Sequence, residues 1–216
     1  MGILFMHNCV LCRRPIPAED GSRAMICTAC AREVQETYRC AETIRVPGID
    51  GCVAALHYTG KVRGAMKRFK FHHKQHYANW FVAQMLPLLA SHLEPWKIDL
   101  VTYMPIGFWR LRKRGYNQAE LLAKPVAAAF GLSCKPTLRK RPFTPSQSRQ
   151  TNFAARQKNA ARALLPMEKA DVCGRSVLLV DDIITTGASA AAAAALLRRQ
   201  GAAYVYLLTP THTPRR

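Results

Sequence analysis

Val177-Leu178-Leu179-Val180-Asp181-Asp182-Ile183-Ile184-Thr185-Thr186-Gly187-Ala188-Ser189 places two adjacent carboxylates directly after an apolar run and just before a turn rich in hydroxyls. Asp181 and Asp182 can accept hydrogen bonds from two neighbouring hydroxyls, the pair that a ribose offers at its 2′ and 3′ positions. The turn from Thr185 through Thr186, Gly187, Ala188 and Ser189 reads as the start of a helix. The unpaired N–H groups and positive dipole end of a helix start attract an anion. The hydroxyls of Thr185, Thr186 and Ser189 add hydrogen bonds, and Gly187 lets the backbone come close to a phosphate. A ribose 5-phosphate needs both halves of such a site. Neither a loop ending in Gly-Lys-Ser/Thr nor a Gly-x-Gly-x-x-Gly dinucleotide turn occurs in the sequence. The bland alternative is a solvated strand end followed by a helix cap, and the length of the whole run favours the ligand site.

A second constellation lies near the start. Cys9-x-x-Cys12 and Cys27-x-x-Cys30 are separated by fourteen residues. Two such knuckles offer four thiolates to one tetrahedral ion, and zinc is the expected metal. Four sulfur ligands leave no open position, so the expected role is structural. Zinc ligation contributes on the order of ten kcal/mol in small peptide sites, enough to order a segment with little core of its own. Cys40, Cys52, Cys134 and Cys173 are isolated and read as small apolar residues.

The formal net charge is +19, and its distribution is uneven. Residues 51–93 carry six Lys or Arg and no acid, and residues 100–167 carry thirteen with Glu120 as the lone acid. Such a field favours polyanions: phosphates, pyrophosphate or nucleic acid. No apolar stretch approaches the ~18 residues of a spanning helix, and the apolar start lacks a basic flank. The expectation is a soluble cytoplasmic protein.

The surrounding pattern shows what must position these groups. Residues 1–45 form a cysteine-rich segment, and 46–216 form the main domain. Within the latter, 46–93 reads as a hairpin around Gly51–Tyr58 followed by basic helices over Lys61–Lys70 and Tyr77–Leu93. From Ile98 onward strand and helix alternate: strands at Ile98–Met104, Ser176–Val180 and Ala203–Leu208, helices at Gln118–Phe130 and Ser189–Gln200. Alternation of this kind predicts an α/β fold, a parallel sheet flanked by helices, with the acid pair at its carboxyl edge.

The acid-pair run resembles the phosphoribosyl pyrophosphate (PRPP) motif of type I phosphoribosyltransferases. The segment from Tyr103-Met104-Pro105 to Arg112-Lys113-Arg114-Gly115-Tyr116-Asn117-Gln118 resembles the Arg-x-x-Gly-Phe/Tyr-Asn-Gln segment of the ComF (competence protein F) family. Thr144, Gln147, Arg156 and Asn159 resemble the loop that follows in that family, and the N-terminal cysteine ribbon is similar too. The resemblance implies a type I phosphoribosyltransferase fold with a hood, plus a zinc ribbon. It implies a pyrophosphate loop at Pro105 and Ile106 with Arg110, Arg112 and Arg114, and a hood loop at Thr144, Gln147, Arg156 and Asn159. It also implies PRPP with Mg²⁺ as ligand, Asp181 and Asp182 as the acids that hold the ribose, and a role in natural transformation beside a helicase or uptake channel. The chain departs from the family in two places. Only Cys40 and Cys52 remain where a second cysteine pair is common, which speaks against a second zinc. Ile106-Gly107-Phe108 replaces the frequent Leu-His-Pro. Thr185 occupies a position where purine-salvage relatives tend to carry an acid, so no carboxylate base is expected there.

Another reading keeps the fold without turnover: a PRPP sensor, or a binder of single-stranded DNA. Lys67, Arg68 and Lys70 lie on the basic helix, and Phe69, Phe71 and Tyr77 are interleaved, either to stack on bases or to form core.

Overall fold

The computed structural model describes residues 7–16, 24–40, 42–142, 159, 161–168 and 171–214. The strands are β1 (His7–Asn8), β2 (Pro15–Ile16), β3 (Gly51–His57), β4 (Leu100–Tyr103), β5 (Leu138–Lys140), β6 (Leu164–Pro166), β7 (Ser176–Val180) and β8 (Tyr204–His212). The helices are α1 (Thr28–Glu33), α2 (Gly60–Phe71), α3 (Tyr77–Trp96), α4 (Phe108–Arg114), α5 (Gln118–Ala129) and α6 (Ala188–Arg199), with a π-helical stretch at Val34–Tyr38 after α1.

Four strands form one parallel sheet in the order β3-β8-β7-β4. All five residues of β7 are buried, as expected of a parallel strand covered on both faces. α3 and α5 pack on each other and on the sheet, and α6 packs against β8. Six alanines of α6 face the interior, and their small side chains let the helix lie close. Two small antiparallel pairs, β1-β2 and β5-β6, stand apart from the sheet. The apolar core runs from Val10 and Leu11 near the N-terminus through Phe69 and Phe81 to Leu207 and Leu208.

The parallel sheet flanked by helices is the architecture the alternation predicts. The hairpin expected at 46–93 is not formed. β3 is an edge strand paired parallel to β8, from Gly51↔Tyr206 to His57↔His212, and α2 begins almost at once after it. Local sequence marks β3 as a strand but carries no signal of a partner so distant in the chain. The last strand runs four residues past Leu208. Pro210 is tolerated there because β7 has already ended at Val180, leaving no ladder on that side to break.

The N-terminal segment is fastened to α2. Arg68 Nη2 donates to the carbonyls of Val10 at 2.8 Å and Leu11 at 2.9 Å. Lys61 pairs with Glu33, and the Tyr38 hydroxyl accepts from the Lys61 N–H at 3.3 Å. Phe69 and Tyr77 are buried, so of the three interleaved aromatics only Phe71 remains exposed.

Candidate functional site

Asp181 and Asp182 follow β7 at the carboxyl edge of the sheet. Their backbone is fixed from β8: the Asp181 N–H donates to Leu208 O at 3.3 Å, and the Thr211 hydroxyl donates to Asp182 O at 2.9 Å. The Asp182 N–H donates to Asp181 Oδ1 at 2.8 Å. Burial pushes the Asp181 carboxyl up from 3.8 to about 7; the neighbouring Asp182 charge adds to this, while Lys70 and Lys140 oppose it.

Cations from separate elements converge on the pair. Lys70, in the last turn of α2, places Nζ 2.8 Å from Asp182 Oδ1, with both side chains about 15% exposed. Lys140, at the end of β5, is held below its ordinary pKa by burial and by Arg110, while Asp181 pulls it back up. A cleft of about 210 Å³ is lined by Lys70, Arg110, Arg114 and Lys140 opposite Asp181 and Asp182. The segment Met104–Gly107 lines the same cleft.

That segment is held by the residues after it. Asn117 caps α5 by accepting from the Ala119 N–H at 3.1 Å, and its amide donates to Met104 O at 3.0 Å. Tyr116 is buried, stacks on Phe69 at 6.0 Å and donates its hydroxyl to Phe69 O. Gly115 turns the chain with φ 78°. Arg114 donates to Gln118 Oε1 at 2.9 Å and lies over the Phe71 ring at 4.8 Å. The run from Arg114 to Gln118 is therefore a bracket tying the loop after β4 to the end of α2.

The turn beyond the acids forms a cradle of about 230 Å³ lined by residues from Asp181 to Ala190, including Thr185, Thr186, Gly187, Ala188 and Ser189. Thr185, Thr186 and Ser189 are exposed. The Thr186 hydroxyl accepts from the Ala188 N–H at 3.5 Å. Gly187 has φ 78°, and a Cβ there would meet Val46 Cγ2 at 2.9 Å. The position thus requires glycine for both its backbone angle and the approach of Val46. A larger cavity, about 940 Å³, opens beside Thr185 and Thr186 against Ile44, Val46 and Ile49.

The expected site residues fall as follows. Asp181, Asp182, Pro105, Ile106 and Arg114 share the cleft lining, and Ser189 lines both cleft and cradle. The residues from Phe108 to Arg114 form the short helix α4 rather than an open loop, which turns Arg112 toward the Phe108 ring at 5.8 Å. Thr144, Gln147 and Arg156 lie outside the described residues, and Asn159 is helical and half-buried. Lys70, read from the sequence with Lys67 and Arg68 as a nucleic-acid contact, is ion-paired to Asp182. Arg68 is engaged with the ribbon carbonyls, and Lys67 lines a separate basic cavity with His72 and Lys74. Lys140 was not indicated by any local motif; only its placement on β5 brings it to the acids.

The four cysteines also meet. Cys9 and Cys12 sit on the tight turn of the β1-β2 pair, where Arg13 adopts φ 68°, while Cys27 and Cys30 sit at the start of α1. Their sulfurs all lie within 4.8 Å of one another, and Cys12 and Cys27 are 3.8 Å apart. Tetrahedral zinc with bonds of ~2.3 Å sets sulfurs about 3.8 Å apart, so the cluster fits the ion. Burial raises the Cys9 thiol, yet N–H groups of Cys12, Cys27 and Leu11 outweigh it and bring the thiol to about 7.

No protein-family model matches the chain, and no curated protein does. Solved structures similar to it include an adenine phosphoribosyltransferase (TM-score 0.39, 23% identity, 61% of this chain and 69% of that one). A purine phosphoribosyltransferase from Pyrococcus horikoshii aligns at TM-score 0.41 and 15% identity over 62% of this chain and 84% of that one. An allosteric regulatory enzyme of purine biosynthesis aligns at 0.42 and 19% over 67% and 30%.

The raised Asp181 carboxyl makes a prediction. Its folded pKa lies above the unfolded value, so the native chain keeps a proton that the unfolded chain has lost, and stability falls as pH rises from about 4 to about 7. Asp181→Asn removes this contribution. Denaturant titration should find the variant more stable than wild type at about pH 8, by on the order of 1 kcal/mol, with the gap closing below about pH 4. A gap independent of pH would contradict the assignment.

Proposed function

We propose that the chain binds PRPP with Mg²⁺ and acts as a phosphoribosyltransferase. The observation that carries this reading is one sheet edge with three adjoining parts: a carboxylate pair, a helix-start cradle rich in hydroxyls and a cleft lined by Lys70, Arg110, Arg114 and Lys140. Asp181 and Asp182 would take the ribose hydroxyls, residues Thr185–Ser189 the 5-phosphate, and the cations with Pro105 and Ile106 the diphosphate. Arginine suits such bidentate phosphate contacts. Carboxylate oxygens are also suitable donors for Mg²⁺, which when bound neutralises charge on the diphosphate.

In the transfer, the C1–O bond to the diphosphate breaks, its electron pair leaves with pyrophosphate, and the acceptor bonds to C1. The chain contributes position: gripping the 5-phosphate and ribose leaves C1 as the free centre. The cavity beside Thr185 is the space left for an acceptor; Thr185 and Thr186 present hydroxyls there, and Asp50, a carboxylate in its lining, is already engaged by Arg198 and the Val205 N–H. That speaks against a purine-salvage type of base catalysis. Thr144, Gln147, Arg156 and Asn159 would belong to a hood closing over the ligand. The ComF resemblance supports a cytoplasmic role in natural transformation, with a structural zinc ribbon over residues 1–45 and the transferase domain over 46–216. A helicase or uptake channel would then be its partner.

A second reading, single-stranded DNA binding without turnover, is favoured by one observation. Phe71, Phe108 and Trp109 are exposed, Trp109 at 66%, among Arg112, Lys113 and Arg114 on α4. Bases stack on such aromatic platforms while the cations follow the phosphates.

Calorimetry with PRPP and Mg²⁺ should give a binding signal that the Asp181→Ala/Asp182→Ala variant lacks; equal binding by the variant would sink the site assignment. Under the DNA reading, affinity for an oligothymidylate should fall about tenfold or more between roughly 50 and 200 mM salt. Binding that is absent or indifferent to salt removes that reading.

A further inference from the structure

Cys40, His57 and His212 come together on three adjacent extended segments at the outer edge of the sheet. Arg39 bridges Leu56 in antiparallel fashion and the Cys40 N–H donates to Ala55 O at 3.2 Å, so residues 39–40 run alongside β3. His57 ends β3 and His212 ends β8, and the two are register partners in the parallel ladder. Parallel partners project to the same side, which brings the two imidazoles side by side. The Cys40 sulfur and a ring nitrogen of each histidine all lie within 4.8 Å of one another. Two residues beyond Cys40, Glu42 places Oε2 3.5 Å from His212 Nδ1.

The surroundings suit a cation. His57 Nδ1 is fully buried and has no hydrogen-bond partner among the described residues. A buried ring nitrogen left so is destabilising, and a metal bond would satisfy it. The set is one soft sulfur, two imidazoles and a carboxylate, the ligand types that select zinc over magnesium or calcium. Tetrahedral bonds of ~2.0–2.3 Å set ligand atoms about 3.3–3.8 Å apart, so Cys40, His57 and His212 draw in by up to about 1 Å and Glu42 turns in beside them on binding.

We propose that Cys40, His57 and His212, with Glu42 in the fourth position, form a second zinc site, separate from the four-cysteine ribbon. The site owes nothing to a second cysteine pair: its histidines come from the ends of two sheet strands. It would also stiffen the cradle. His212 bridges Ile184, the Thr213 N–H donates to Ile184 O at 2.8 Å, and the chain leaving Cys40 reaches Val46, which packs on Gly187. A metal here ties both flanks of the Thr185–Ser189 turn to one point. The assignment does not depend on what the cradle binds.

Metal analysis of the full chain, purified from zinc-supplemented medium, tests it. Wild type should carry two equivalents. Cys40→Ser and His57→Asn should each lose about one of them, and Cys9→Ser/Cys12→Ser should lose the other. Because these variants can misfold, wild type is also titrated with Co²⁺ after mild removal of the weaker-held zinc. One Co²⁺ should enter, with the intense visible bands of a tetrahedral site and a thiolate-to-cobalt band of one sulfur. Wild type holding a single zinc that only the Cys9→Ser/Cys12→Ser change removes would overturn the proposal. So would two equivalents retained in both Cys40→Ser and His57→Asn, or cobalt entering without a thiolate band.

Discussion

Two carboxylates side by side at the end of a buried strand repel each other and are poorly hydrated, so they need cations supplied from elsewhere in the chain. In this protein the requirement organises the site. Lys70 arrives from α2, Lys140 from β5 and Arg114 from α4, none of them neighbours of Asp181 in sequence. The pairing is incomplete: Asp181 remains raised to about 7 despite Lys70 and Lys140. A site so poised gains from any ligand that brings its own cation or hydroxyls to the acids and its own anions to the surplus of basic groups. The excess positive charge of the chain is in this sense partly local, gathered where anionic groups would be held.

Holding that arrangement falls to uncharged residues. Asn117 joins the start of α5 to the Met104 carbonyl, and Tyr116 joins the same bracket to Phe69, one residue before Lys70. Gly187 admits Val46 against the cradle, and Thr211 steadies the Asp182 carbonyl from β8. Each contact fixes the backbone that carries a charged or cradle residue, and Asn117 and Gly187 also line the site themselves. The cysteine ribbon is joined to the same scaffold, because Arg68, which secures its carbonyls, lies on the helix that presents Lys70.

What could be read in the sequence was what is local. The apolar run Ser176–Val180, the acids and the helix start are contiguous, so strand, edge and cradle followed from one stretch of chain. The two cysteine pairs were likewise legible from spacing. Strand partners were not: β3 looked like half of a hairpin, because pairing with β8 depends on topology rather than on any turn nearby. Phe69 reads from the sequence either as a base-stacking or as a core aromatic, and its burial against Phe81 and Tyr116 depends on elements that only the packed structure brings together. Lys70 reads from the sequence as a nucleic-acid contact on the basic helix, and only the fold sets Asp182 opposite it. Cys40 looked isolated for the same reason, since its neighbours His57 and His212 come from the ends of two other strands.

The most direct test of the central claim, that the acid pair, the cradle and the cationic cleft form a single ligand site, is a crystal structure of the full chain with PRPP and Mg²⁺. The account predicts the ribose hydroxyls on Asp181 and Asp182, the 5-phosphate in the Thr185–Ser189 turn and the diphosphate facing Lys70, Arg114 and Lys140. PRPP bound away from the acids, or with its 5-phosphate outside that turn, would contradict it.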